Sequence, residues 1–438
     1  MKTFFKLEEK KTNFKQEITA GITTFLTMAY IIFVNPNILS ASGMDKGALI
    51  SVTCLAAAIG SIICGIWVNV PFAMAPGMGL NAFFTYTLVL GAGATWQEGL
   101  GVVFISGILF IILTLFGFRE KIIETIPIEL RLAIGAGIGL FIAFLGMNGM
   151  GLIVSNPATL IGLGPMKLNL VLGLLGFLIM GILEIKRVKG GILIGILITT
   201  FIGMIAGIVE IPQQIFSFPP SIAPIAFKLD ILGALKVAFI GPIFSFMFVD
   251  LFDSLGTIVA CANEANMVEK DGKIKDINKI LEADAIATVI GSVLGTSTTT
   301  TFVESAAGIA VGGRTGLTSV VTGLMFLLAL FFSPLIEIVP VFATAPALIL
   351  VGVYMFKNLL DINFHKIEVA IPCFLTIIMM PLTYSISTGI AFGFISYLAV
   401  NMATEMRKKI PLTMWLIGLI SLIEIAKEPI AKLLSTLF

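Results

Sequence analysis

The chain has 438 residues, of which 58% are hydrophobic and 12% are charged, and its formal net charge is +1. Apolar runs of about 20 residues recur along its whole length, which excludes a soluble globular protein and predicts a multi-pass membrane protein. The four cysteines and the single histidine form no metal or disulfide pattern, and no phosphate-binding, nucleophile-elbow or dinucleotide motif occurs. We therefore expect no cofactor, no metal and no enzyme.

The charged N-terminal segment 1–17 is too long for an ordinary cleaved signal, and a first retained span follows it. The apolar runs predict fourteen spans: 18–39, 48–69, 72–92, 97–117, 130–154, 168–185, 190–209, 231–262, 282–297, 298–313, 316–338, 340–356, 368–383 and 386–404. The weaker apolar segment 411–425 suits a helix that lies in the membrane interface.

The distribution of basic residues supports this count. With the N-terminus in the cytoplasm, Lys46, Lys167, Lys228 and Lys236 are the exceptions, and every other Lys and Arg falls on the cytoplasmic side. The expected location is therefore a cell membrane, with both termini cytoplasmic. The predicted organisation is a cytoplasmic N-terminus 1–17, a first seven-span repeat 18–210, an outer connection 211–230, a second seven-span repeat 231–405 and a C-terminal tail 406–438.

An odd number of spans in each half makes the two halves enter the membrane from opposite sides, which is an inverted repeat. Span two carries AAAIGSII at 56–63, and span nine carries the similar ATVIGSVL at 287–294. Span three carries PFAMAPGMGLNAFF at 71–84, whose prolines and glycines predict an extended first part before a half helix near Asn81.

Span ten is the corresponding passage of the second half. It reads GTSTTTTFVESAAGIAVGG at 295–313, with five consecutive hydroxyl residues at 297–301 and a lone acid, Glu304. The hydroxyl run favours an extended segment, and the small residues after Glu304 favour a close-packed half helix. Two broken spans in corresponding positions predict a transport site between them, since irregular backbone at membrane depth must line a cavity or be buried in protein.

Three acids lie deep in the second half: Asp250, Asp253 and Glu304. Asp250 and Asp253 are three residues apart, so they share one face of span eight. Acids at this depth with few basic partners are candidates for carrying protons, and we assign that role to all three.

The same groups suit a flat, neutral heterocycle. A carboxylate can accept two N–H donors from one edge of a purine, and Asn81 offers both a donor and an acceptor. Thr301 and Phe302 lie beside Glu304, and an aromatic ring can stack on a base. The candidate substrate-binding residues are therefore Glu304, Asp253, Asn81, Thr301 and Phe302.

Four segments give the chain a family resemblance: ITAGITTFLTMAYIIFVNP at 18–36, APGMGLNAFF at 75–84, FVDLFDSLGT at 248–257 and TTTTFVESAAGI at 298–309. The chain resembles the nucleobase–cation symporter-2 superfamily, in particular its azaguanine-resistance branch of hypoxanthine, guanine and adenine permeases. The resemblance implies an all-α fold of seven plus seven spans with core and gate domains, and short strands in spans three and ten. It also implies that Glu304 and Asp253 bind substrate, that Asn81 lies opposite and that Asp250 contributes.

The expected function is import of a purine nucleobase with a proton; nucleic acid is not an expected partner. A xanthine or uracil permease is an alternative, although Thr257 stands where those relatives have a His. An anion carrier would need a cation or bare helix N-termini at the site, and a channel would need a continuous polar stripe. Sodium coupling at Asp253 and Thr257, and a homodimer, stay open.

Overall fold

The computed structural model describes residues 3–116, 126–212, 214–268, 274–403 and 410–437. In the first half the elements are α1 (Phe14–Met28), α2 (Ile31–Leu39), α3 (Lys46–Ile63), β1 (Met74–Pro76), α4 (Met78–Ala82), α5 (Trp96–Leu115), α6 (Ile128–Gly149), β2 (Ile153–Asn156), β3 (Leu160–Leu163), α7 (Leu168–Ile185) and α8 (Gly191–Ile205). A π-helical turn, Cys64–Val68, continues α3, and a second, Phe83–Gly91, continues α4.

In the second half the elements are α9 (Ile231–Ala234), α10 (Ile240–Glu264), α11 (Ile277–Leu294), β4 (Thr299–Thr301), α12 (Ser305–Ala310), α13 (Gly316–Ala329), α14 (Ser333–Glu337), α15 (Val341–Phe356), α16 (Ile367–Thr383), α17 (Ile386–Met402) and α18 (Leu412–Leu437). Short 3₁₀ turns occur at Ser40–Ser42, Val237–Phe239, Leu330–Phe332 and Lys357–Asp361.

Eight helices in the described part of the chain are long and apolar enough to cross a membrane. Shorter apolar helices and the two strand–helix passages occupy the other predicted spans. The predicted class, a helical multi-pass membrane protein with strands in spans three and ten, is confirmed.

Helix contacts sort the chain into two groups. In one group, α3 packs on α11 and α13, α5 packs on α10 and α11, and α1 packs on α12 and α13. In the other, α6 packs on α15 and α16, α7 packs on α8 and α15, and α16 packs on α17. The two groups correspond to the core and gate domains expected for this fold, and both broken spans belong to the core.

Two predicted spans have different boundaries in the structure. The predicted span 130–154 is too long, because α6 ends at Gly149 and Gly151 then adopts a positive φ of 78° that leads into the β2–β3 hairpin. Span 231–262 is two helices, α9 and α10, and the long helix begins just before Pro242, which is tolerated in a first turn.

Two further predictions concern the C-terminal segment and the orientation of the termini. The segment drawn as 411–425 is the first part of α18, which packs against α17. The basic residues at 117–125, 269–273 and 404–409 lie outside the described residues, so the orientation of the termini stays a prediction.

Hydroxyl groups of the long helices hold the first residue of each strand of the broken spans. The Ser61 hydroxyl on α3 accepts from the N–H of Met74 at 2.9 Å and donates to its carbonyl at 3.1 Å. Thr288 on α11 does the same for Thr299, at 3.2 and 3.1 Å. A two-stranded pair at membrane depth would leave these backbone groups without hydrogen-bond partners, and the two hydroxyls supply them. The strands are therefore fixed between α3 and α11.

Candidate substrate-binding site

The candidate site is built where the two broken spans meet. Strands β1 and β4 pair antiparallel, with Met74 opposite Thr301. The pairing extends past the strands, since the N–H of Gly77 donates to the Thr298 carbonyl at 3.0 Å and the N–H of Phe302 donates to the Ala73 carbonyl at 2.9 Å. The two passages therefore run in opposite directions into one junction, as the sequence predicts.

Glu304 lies at the N-cap of α12, directly after this junction, and its side chain is half-buried. The hydroxyl of Tyr30, between α1 and α2, donates to Glu304 Oε1 at 2.5 Å. The hydroxyl of Thr27 lies 3.5 Å from the backbone carbonyl of Glu304. The first span thus contacts the predicted substrate-binding acid directly.

The two acids of α10 have different surroundings. Asp250 is 2% exposed, and its Oδ2 lies 3.4 Å from the hydroxyl of Thr288 on α11. Asp253, one turn later, is half-buried and accepts no hydrogen bond from the described residues. It lies within electrostatic range of Asp284 and Glu304. Asp253 therefore belongs to the same acidic cluster as Glu304, while Asp250 faces the packed interface with α11.

Asn81 is fully buried, at 0% exposed, and neither Nδ2 nor Oδ1 has a hydrogen-bond partner in the described part of the chain. It lies one turn into the half helix that starts at Met78, not at its beginning as the sequence indicates. A buried amide without partners costs free energy unless a ligand or water satisfies it, so this side chain points to a binding function.

Thr301 and Phe302 contribute mainly to the framework of the site. The N–H and the hydroxyl of Thr301 both donate to Asp284 Oδ1, at 2.7 and 2.9 Å. Phe302 is 6% exposed, and its carbonyl lies 3.9 Å from the sulfur of Cys261 on α10. The hydroxyl of Thr301 already donates to Asp284. That Thr301 and Phe302 contact the substrate directly stays a prediction.

The sequence analysis does not single out three residues of the core domain that make specific polar contacts in the structure: Tyr30, Asp284 and Glu17. In the sequence, Tyr30 is one of several aromatic residues in an apolar span, and Asp284 lies near the start of predicted span nine, beside a charged segment. Glu17 was assigned to the N-terminal tail, yet it is fully buried and accepts hydrogen bonds from Thr315 and Thr318. For Asp284 the sequence does contain a signal: Thr288 follows four residues later, so the two polar side chains lie on one face of α11.

Aromatic rings near the site pack mainly on one another. Phe83 stands 4.6 Å from Phe246, centroid to centroid, and Phe248 stacks on Phe252 at 6.4 Å with an interplanar angle of 11°. Phe83 is fully buried and Phe248 nearly so. The half-buried ring of Phe252, one residue before Asp253, is therefore the most accessible of these platforms.

The assembled groups are suited to bind a neutral ligand with N–H and carbonyl groups. Two carboxylates, Glu304 and Asp253, supply acceptors, and Asn81 supplies a donor and an acceptor. In the described residues no three His, Cys, Asp or Glu side chains cluster closely enough to hold a metal ion. The side chain of Arg314 is committed to the carbonyls of Ile309 and Gly313, at 2.6 and 2.7 Å.

Known proteins resemble this chain over most of its length. A profile described as "Permease family" matches residues 15–392. A putative permease of Methanocaldococcus jannaschii is 50% identical, with 96% of each chain covered. The guanine/hypoxanthine permease PbuG of Bacillus subtilis is 48% identical, with 91% of this chain and 93% of PbuG covered. The adenine permease AdeQ of Escherichia coli is 45% identical, with 91% of this chain and 90% of AdeQ covered.

Among solved structures, the transmembrane domain of the cyanobacterial bicarbonate transporter BicA superposes with a TM-score of 0.64. The two sequences are 16% identical, and the match covers 89% of this chain and 97% of that domain. This likeness shows the fold, a transporter architecture of seven plus seven spans in an inverted repeat.

Proposed function

Because the chain belongs to the nucleobase:cation symporter-2 permease family, it is a membrane permease and not an enzyme, and we propose that it imports purine nucleobases. The observation that carries the proposal is that Glu304 and Asp253 lie within electrostatic range of each other at the antiparallel junction of the broken spans, while both polar atoms of the buried Asn81, in the half helix after β1, lack hydrogen-bond partners in the described residues. Relatives named as adenine and guanine/hypoxanthine permeases support the substrate class.

The chemistry of these groups fits a purine better than a charged substrate. Adenine, guanine and hypoxanthine are flat and neutral near pH 7, and each presents N–H donors along its edges. Carboxylate oxygens accept such donors in strong charge-assisted hydrogen bonds, and the amide of Asn81 can pair with a ring nitrogen or a carbonyl. The ring of Phe252 offers a face for stacking.

An anion transporter is the main rival, because a solved structure with this fold is named as a bicarbonate transporter. An anion needs positive charge at its site, but the acids Asp253 and Glu304 lie within electrostatic range of each other there. The nearby cation, Arg314, is bound to backbone carbonyls. A xanthine or uracil permease of the same fold is a second rival, which the identity of the named relatives disfavours.

We further propose that both termini lie in the cytoplasm. We also propose that transport is coupled to protons, with Asp253, Asp250 and Glu304 as the titrating groups. The supporting observation is that Asp253 and Glu304 are half-buried and form no salt bridge with a basic side chain in the described residues, and that Asp250 is 2% exposed. Uptake in sodium-free buffer at several pH values, with and without a protonophore, separates proton from sodium coupling. Dependence on sodium at constant pH would contradict the proton assignment. A homodimer stays a prediction.

Uptake of radiolabelled hypoxanthine, guanine and adenine into cells that lack their own purine carriers tests the proposed function. Glu304→Gln should lower initial uptake by about a hundredfold, since two hydrogen bonds to a charged acceptor are weakened by about 1.5 kcal/mol or more each. The matched control is Glu210→Gln, at an exposed position just before the outer connection 211–230, which should transport like the wild type. Normal uptake by Glu304→Gln at equal membrane abundance would refute the site.

A further inference from the structure

Tyr30 donates a hydrogen bond to the same carboxylate, Glu304, that we propose binds the purine. The Tyr30 hydroxyl is the side-chain donor to the Glu304 carboxylate in the described residues, at 2.5 Å. The neighbouring hydroxyl of Thr27 reaches the backbone carbonyl of Glu304, not its side chain. A purine N–H is the same kind of donor as this phenol, and a purine whose N–H donors bind both oxygens of Glu304 competes with Tyr30 for Oε1.

The competition matters because a carrier completes half of each cycle without substrate. A carboxylate at membrane depth is costly when it lacks a partner. Glu304 forms no salt bridge with the described residues, and the side chain of Arg314 is held by the carbonyls of Ile309 and Gly313. A neutral donor that replaces the purine N–H would keep Glu304 hydrogen-bonded and leave the net charge of the core unchanged.

The position of Tyr30 suits such a donor. It lies in the short turn between α1, which ends at Met28, and α2, which begins at Ile31, so its side chain sits at a joint in the first span. Tyr30 is 0% exposed, and α1 packs on α12 and α13 in the core domain. The phenol therefore belongs to the same domain as the acid that it contacts and can accompany it through the cycle.

We propose that Tyr30 is a stand-in hydrogen-bond donor, which takes the place of the purine N–H on Glu304 when the carrier returns without substrate. The inference rests on the proposed function. It assigns to Tyr30 a role in the return step and not in holding the substrate. Net uptake requires that return step, whereas exchange of internal for external purine does not.

Tyr30→Phe tests the proposal, since it removes the hydroxyl and keeps the ring. Purified protein in proteoliposomes is assayed for net uptake of labelled hypoxanthine and for counterflow, with unlabelled hypoxanthine inside. We expect net uptake to fall by at least about tenfold, which corresponds to the loss of one hydrogen bond to a charged group. Counterflow should stay near that of the wild type. Binding of hypoxanthine by the detergent-solubilised variant should be as tight as in the wild type or tighter, since a competitor is gone.

The control is Tyr354→Phe. Tyr354 donates to Glu184 Oε2, also at 2.5 Å, so the variant loses a phenol–carboxylate bond of the same length. Glu184 and Tyr354 lie within electrostatic range of Glu304, so this control alters a neighbouring bond and keeps the Tyr30 donor on Glu304. It should affect net uptake and counterflow equally, if at all.

Two results would overturn the role of Tyr30. Weaker binding with a parallel loss of net uptake and counterflow would make Tyr30 a support for bound substrate. Unchanged net uptake would mean that Glu304 needs no stand-in donor. Failure of the proposed function has a separate signature, because wild-type protein would then neither bind nor exchange any purine.

Discussion

Asp284 makes the contacts that hold strand β4 in place, so its replacement tests how the site is supported. The carboxylate is fully buried and accepts the N–H of Thr301 at 2.7 Å, the hydroxyl of Thr301 at 2.9 Å and the hydroxyl of Ser254 at 2.5 Å. One side chain on α11 thus ties together the strand and α10, one residue beyond Asp253.

The size of the effect follows from these three bonds. Hydrogen bonds to a charged group contribute about 1.5–3 kcal/mol each, but the two bonds to Thr301 share one acceptor atom and are not additive. Asp284→Ala also leaves the buried N–H of Thr301 without its partner. We expect Asp284→Ala to lower the free energy of unfolding by about 3–5 kcal/mol. Asp284→Asn keeps an acceptor oxygen, so it should lower the free energy of unfolding by about 1–2 kcal/mol.

Thermal denaturation of the purified variants, followed by the amount of monodisperse protein after heating, measures the order of stability. Glu282→Gln is the control, because Glu282 lies on the same helix and makes no hydrogen bond with the described residues. The midpoints should fall from Glu282→Gln through Asp284→Asn to Asp284→Ala. If Asp284→Ala melts like the wild type, or if Asn is worse than Ala, the assigned support of β4 is wrong.

Two other predictions concern packing and charge. Gly308→Ala should impair purine uptake strongly, since a Cβ there would lie 2.7 Å from the Ala20 carbonyl and push α12 from α1; wild-type uptake would contradict this close approach. Glu98→Ala should lower the melting midpoint more than Lys236→Ala does, since the pair shares one salt bridge but Glu98 also forms a capping box with Thr95. The capping box contributes about 1 kcal/mol to stability, whereas the salt bridge of the exposed Lys236 contributes less than that. Equal melting midpoints for the two variants would contradict a larger role for Glu98.

The sequence by itself determined the class of protein, the places where two spans break and most of the acids at the site. The reason is that the hydrocarbon core of a membrane demands long apolar runs, so each proline, glycine, hydroxyl cluster or acid within them stands out. PFAMAPGMGLNAFF at 71–84 and the hydroxyl run 297–301 were recognisable for this reason, and the strands lie inside them.

Only the tertiary structure decided which side chains meet. Tyr30 and Glu304 are 274 positions apart, and no local pattern reports that a phenol faces a distant carboxylate. The charged surroundings of Asp284 likewise concealed that its carboxylate is buried against Thr301, because burial depends on what packs against a helix and not on the composition of its neighbours in the chain. Local chemistry marks the broken spans; the packing of α1, α10 and α11 around them makes the site.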